Sequence, residues 1–165
     1  MMSTMPTHRH QQFIARAYEL ARNAVAHGNH PFGALLVRDG AILAESENEV
    51  VTTRDVTRHA ETSLVAKVSA ELHAETLAAS TLVTSTEPCT MCCGAIHWAG
   101  IGSIVFGVRG KEMVASFDGT YQGIPSRDVF ARINPRVEIE GPVMEDEGLR
   151  IHRDFWPDFL RSSSS

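Results

Sequence analysis

Four residues in this chain are of the types that could together activate a water molecule: His59, Glu61, Cys89 and Cys92. They stand in two short runs, His59-Ala60-Glu61 and Pro88-Cys89-Thr90-Met91-Cys92, with 27 residues between Glu61 and Cys89. Two cysteines spaced Cys-x-x-Cys at a helix start lie one turn apart on the same side. The free amides and the dipole of that turn favour thiolates, the form that binds zinc. His59 supplies a third ligand, and one coordination position is left open. Structural zinc sites are closed by four protein ligands, whereas catalytic ones keep a position for water, so the count points to catalysis. At such a position zinc lowers the pKa of water to about 7. Glu61, two residues from a ligand, can be held beside the metal without binding it, where it can take a proton and return it. Attack of water on an amidine-like ring carbon, with an amine departing, needs that proton traffic.

The same residue types have plainer uses. An isolated Cys-x-x-Cys is equally the mark of a redox pair or of half a structural zinc ribbon. The upstream histidine and glutamate and the preceding proline, in this order at helix starts, select the catalytic reading. Cys93 is one residue out of ligand phase and is expected in the core. His8, His10, His27, His73 and His152 are expected to be ordinary surface or core residues, and His97 a packing residue. The run Gly107-Val108-Arg109-Gly110-Lys111 lacks the spacing of a phosphate-binding loop. Arg127, Arg132, Arg136, Arg150 and Arg153 read as a solvated surface.

The elements that must position these groups can be read from periodicity. Residues 11–27 carry Phe13, Ile14, Ala17, Leu20, Ala21, Ala24 and Val25, the stripe of an amphipathic helix, with Gly28 at its end. Residues 33–38 and 41–44 are short apolar runs around Asp39-Gly40, a strong hairpin signal. A helix is expected from His59 to about Ala74, a strand over 81–85, and a helix from Pro88-Cys89 through Trp98, with proline well placed in a first turn. Residues 103–108 form another strand, 137–139 a short one, and 146–160 a closing helix. Helix and strand alternate, the order of an α/β layered fold.

Composition sets the bounds. The chain has 165 residues, a net charge of −5, 43% hydrophobic and 21% charged residues. That is enough apolar residue for one core, and too much for disorder. We expect a single domain over residues 8–160, with residues 1–7 and 161–165 as disordered ends. No apolar run approaches the ~20 residues a bilayer span needs, so no membrane partner is expected. The first residues lack the apolar segment of a secretory leader, and three cysteines are too few for a disulfide framework. A cytoplasmic location is expected.

The ordered set His-x-Glu followed by Pro-Cys-x-x-Cys resembles the zinc deaminase signature. Over residues 13–108, and less closely to residue 156, the chain is similar to the cytidine deaminase-like superfamily, in the branch of guanine deaminases and tRNA adenosine deaminases. The resemblance implies a three-layer α/β/α fold with a central five-stranded mixed sheet. It implies one zinc per chain on His59, Cys89 and Cys92, and Glu61 as the proton shuttle. Asn29-His30-Pro31-Phe32-Gly33-Ala34 and Ala95-Ile96-His97-Trp98-Ala99 are similar to guanine deaminases. By that analogy Phe32 and Trp98 flank a flat purine, Asn48 hydrogen-bonds it, the Ala60 amide binds an oxygen, and Asp118 of Phe117-Asp118 contacts the ring. Arg58, where the family has alanine, and Gly119 depart from the pattern, and Arg136-Val137-Glu138-Ile139 is similar to the tRNA enzymes. The expected activity is hydrolytic deamination of a purine base or nucleoside, guanine to xanthine first and a guanine nucleoside next, by a homodimer acting on a small molecule. The alternatives are adenosine deamination in tRNA, which only two lysines and the negative charge disfavour, and deamination of cytosine, a pterin or a triazine. A zinc-stabilised binding module without chemistry is the non-enzymatic alternative.

Overall fold

The computed structural model describes residues 7–164. Its frame is a five-stranded sheet in the order β2-β1-β3-β4-β5. Strand β1 (Gly33–Arg38) pairs antiparallel with both β2 (Ala41–Glu47) and β3 (Thr81–Thr86); β3, β4 (Ser103–Val108) and β5 (Glu138–Glu140) run parallel. The β1–β2 turn places Asp39 at φ 50° and Gly40 at φ 77°. Positive φ at both positions is the twist-compatible hairpin turn, which is why Asp-Gly stands there.

Alternation along the central strands builds two cores. Leu35, Val37, Val83 and Val105 face α1 (Thr7–Ala26) and α8 (Glu145–Ser162), whose Ile14, Tyr18, Leu149 and Ile151 pack against them. Ala34, Leu36, Leu82 and Ile104 face the other way. There they meet Leu64 and Val68 of α3 (Ala60–Glu71), Cys93 and Ile96 of α5 (Thr90–Ala99) and Phe130 of α7 (Ser126–Ile133). Period-2 side chains on strands buried on both faces require helices on both sides. The result is the three-layer α/β/α arrangement with a mixed sheet.

Several boundaries differ from the sequence reading. Helix α1 starts at Thr7, and His10 in its first turns pairs with Glu140 of β5 at 3.2 Å, a tertiary contact that apolar periodicity does not register. The helix expected over 59–74 breaks at Leu72, which is extended and packs into the core, and resumes as α4 (Ala74–Ala78). Two short helices, α2 (Val50–Thr53) and α6 (Gly110–Ala115), and α7 as well, lie where the sequence showed no element. The closing helix expected to end at residue 160 continues as α8 to Ser162, and the Ser162 and Ser163 hydroxyls donate to Phe159 O at 2.8 and 2.9 Å. The expected disorder of residues 1–6 and 165 falls outside the described residues.

Candidate active site

The C-terminal ends of the parallel strands face the N-termini of α3 and α5, the side on which open α/β sheets place ligands. His59 is the N-cap of α3 and Cys89 the N-cap of α5; Glu61 and Cys92 follow in the first turns. His59 Nδ1, Cys89 Sγ and Cys92 Sγ form a triangle with every side 3.6 Å. For a tetrahedral zinc with Zn–S near 2.3 Å and Zn–N near 2.0–2.1 Å, the S–S and S–N separations should be about 3.8 and about 3.6 Å. The three donors fit such an ion without moving. Cys89 is exposed and Cys92 buried, so the triangle has one open side.

Charge at the cluster is arranged for a cation. A hydrogen bond from the Cys92 thiol, with help from His59, lowers the Cys89 pKa to about 4. The neighbouring Cys89 and burial push the Cys92 thiol up. The Cys89 hydrogen bond also raises His59. Glu61 is 4% exposed, and burial raises its pKa against the opposing pull of its hydrogen bonds. Thr84 Oγ1 donates to Glu61 Oε1 at 2.8 Å, and Glu61 Oε2 lies 3.6 Å from Cys92 Sγ. The carboxylate therefore stands against the cluster but outside the ligand triangle, held from behind by β3.

The other expected contacts divide. Ala60 is buried at the first position of α3, where the amide has no acceptor inside the helix. Asn48 is 1% exposed; its amide donates to Phe32 O at 3.0 Å and its Oδ1 accepts from Val50 N at 3.1 Å. Phe32 is half-buried, with its ring 5.4 Å from His152 and 6.2 Å from Trp156. Trp98 and Asp118 are not brought in. Trp98 is 86% exposed and lies nine residues beyond Cys89, about 13 Å along a helix rising 1.5 Å per residue. Asp118 is exposed, at φ 60° after α6. The ring of the neighbouring Phe117 lies 5.4 Å from Trp156.

Sequence reasoning missed the layer that α8 contributes. His152 is buried at 2% exposure, with Nε2 2.9 Å from Thr86 Oγ1 and Nδ1 3.0 Å from Trp156 Nε1. An indole N–H only donates, so Nδ1 accepts and the ring proton sits on Nε2. His-x-x-x-Trp puts both rings on one helix face, which was the available signal. Glu87 was also missed. It accepts from Gly110 N at 3.0 Å and from Ser126 N and Oγ at 2.8 Å, fastening the starts of α6 and α7 beside the cysteine helix. A groove of about 760 Å³ between α1 and α8 shares no residue with the cluster.

Residues 7–108, which span the histidine, the glutamate and both cysteines, match the cytidine and deoxycytidylate deaminase zinc-binding region. The chain belongs to this family. Among its relatives, a probable cytosine deaminase of Schizosaccharomyces pombe is 33% identical over 160 residues, covering 94% of this chain and 98% of the relative. The guanine deaminase of Bacillus subtilis is 41% identical over 114 residues, 68% of this chain and 73% of that one. The solved guanine deaminase of Nitrosomonas europaea superposes with a TM-score of 0.75 at 27% identity, over 93% of this chain and 86% of its own. Like these relatives, the deaminase is a hydrolytic enzyme, with zinc the metal of its family. None of its described helices is long and apolar enough to cross a membrane.

Proposed function

We propose that this deaminase converts guanine and water to xanthine and ammonia. The observation that carries the reading is the buried Glu61 carboxylate, fixed by Thr84 and set 3.6 Å from a three-donor metal cluster that has one open side. Zinc held by His59, Cys89 and Cys92 supplies Lewis-acid activation of a water molecule at neutral pH. Glu61 would accept a proton from the attacking water and pass it to a ring nitrogen as the new C–O bond forms at C2. A second transfer through Glu61 protonates the exocyclic amine, the C2–N bond breaks, and ammonia leaves. Thr84 keeps the carboxylate aimed through both transfers. Phe32, with Trp156 and Phe117, offers flat faces to the ring; Asn48 and the Ala60 amide supply polar contacts at its edge.

The likeness to guanine deaminases in sequence and in fold supports a purine base. A cytosine substrate is the second reading. It is favoured by one observation: the probable cytosine deaminase aligns over 94% of this chain. A tRNA substrate is disfavoured by the net charge of −5 and the aromatic side chains of α8 packed around Phe32. We place the enzyme in the cytoplasm, as its three free thiols suit a reducing compartment. We also infer a homodimer, in which Met91 and Trp98, seven residues apart on one face of α5 and 38% and 86% exposed, meet a second copy. Ammonia release from guanine, cytosine and tRNA, measured side by side with zinc-loaded protein, tests the substrate. Release from guanine at the highest kcat/KM supports the proposal, and release from cytosine alone overturns it. Light scattering giving the mass of one chain overturns the dimer.

A further inference from the structure

Among the described residues three buried side-chain atoms have no hydrogen-bond partner, Ser63 Oγ, His97 Nδ1 and His30 Nε2, and His30 stands two residues before Phe32. His30 Nε2 is shut off from solvent without a hydrogen-bond partner, a condition native proteins rarely keep without a use. Its backbone is firmly placed. On one side, Asn29 Oδ1 accepts from the Val51 and Thr52 amides at 3.1 and 3.0 Å. On the other, Asn48 N donates to Phe32 O at 3.0 Å, and Gly33 N to Ser85 Oγ at 3.1 Å. The imidazole is walled by the rings of Phe159 at 5.1 Å, Trp156 at 5.3 Å and Phe155 at 6.1 Å. The two phenylalanines have no polar atom to give, and the Trp156 N–H is already committed to His152. Burial, and after it the charge of His59, lower the His30 pKa.

We infer that His30 Nε2 is a substrate-recognition atom, which hydrogen-bonds a heteroatom on the edge of the flat ring held beside Phe32. The inference rests on the deaminase reading of the site and narrows its substrate. A single imidazole nitrogen among aromatic walls matches an uncharged heterocycle with a carbonyl, ring nitrogen or N–H there. It does not match a phosphate or carboxylate, which would enter without a cation to pair it. A site that hydrogen-bonds its ligand discriminates strongly against loss of the bond, because a polar group is then left unpaired.

The test compares wild-type protein with His30→Phe, which keeps a ring against Phe155, Trp156 and Phe159 but removes the nitrogens, and with His30→Gln. Turnover of guanine and of cytosine is followed by ammonia release. Binding of both bases is followed by tryptophan fluorescence in a Glu61→Gln background, where binding proceeds without chemistry. The inference expects His30→Phe to lose 10- to 100-fold in kcat/KM and in affinity. It expects equal zinc content and an unfolding midpoint at or above that of the wild type, because an unpaired buried nitrogen has been removed. His30→Gln should recover part of the loss. Affinities within twofold in the presence and absence of the nitrogen, or no binding of either base, overturn the assignment. A clear affinity difference with no turnover of either base would leave His30 standing and overturn the substrate reading instead.

Discussion

His152 should make the fold sensitive to acid in a defined window. Its Nδ1 accepts from the Trp156 indole and its Nε2 faces Thr86 Oγ1, within a layer where the residue is 2% exposed. A proton added at Nδ1 would set two donors head to head in a dry environment. Burial accordingly lowers its pKa from the ordinary 6.5 to about 4. The unfolded chain then binds the proton more readily than the folded one between these values. Stability is therefore fully present above 6.5 and falls as the pH drops toward about 4. At about 1.4 kcal/mol per pH unit, the gap corresponds to at most about 3 kcal/mol, of which about 2 kcal/mol is lost by pH 5. His152→Gln can accept from Trp156 and donate to Thr86 without titrating. Urea unfolding of both proteins at several pH values from 7.5 to 5, at equal metal loading, reads the difference directly. Titration of the metal ligands is common to both and cancels. The wild type should lose about 2 kcal/mol more than the variant across that range. Parallel decline of the two proteins would refute the reasoning, and a steeper decline in the variant would reverse its sign.

Further perturbations address the cluster and the frame behind it. Thr84→Val removes the hydroxyl that donates to Glu61 at 2.8 Å; a bond to a charged group is worth about 1.5–3 kcal/mol, so kcat should fall about 10- to 100-fold with zinc content unchanged. An unchanged kcat would mean that Glu61 is aimed by something else. Cys92→Ala should abolish stoichiometric zinc and turnover together. Chelation of the wild type should lower its unfolding midpoint, since metal binding and folding are linked. Gly33→Ala should destabilise the protein by about 2 kcal/mol or more through overpacking, because a Cβ there would fall 2.5 Å from both Ala17 O and Leu20 Cβ. An unfolding midpoint equal to that of the wild type would show that α1 can give way.

The parts of the structure legible in the sequence were those written in short-range signals. The Asp39-Gly40 hairpin, the β3 and β4 runs and the cysteine helix closed by Gly100 are each encoded within a few residues. The same holds for the ligand triangle, because ligand spacing survives in sequence even when the pieces meet across 27 residues of chain. What the sequence hid was set by long-range contacts. Leu72 breaks a helix because the core needs it, not because of its own propensity. Thr84 looks like any β-branched strand residue until β3 is placed behind Glu61. His152 and Trp156 join the site only because α8 returns across the sheet from nearly 70 residues beyond Thr86. Trp98, an aromatic close in sequence to the ligands, is 86% exposed on its helix.

The most direct test of the account is ammonia release from guanine by zinc-loaded protein, with Glu61→Gln assayed beside it at matched zinc content. The account predicts steady release by the wild type and a loss of at least a thousandfold in the variant, with zinc still bound. Release that persists in Glu61→Gln would contradict the role given to the buried carboxylate, and its absence in both would contradict guanine as the substrate.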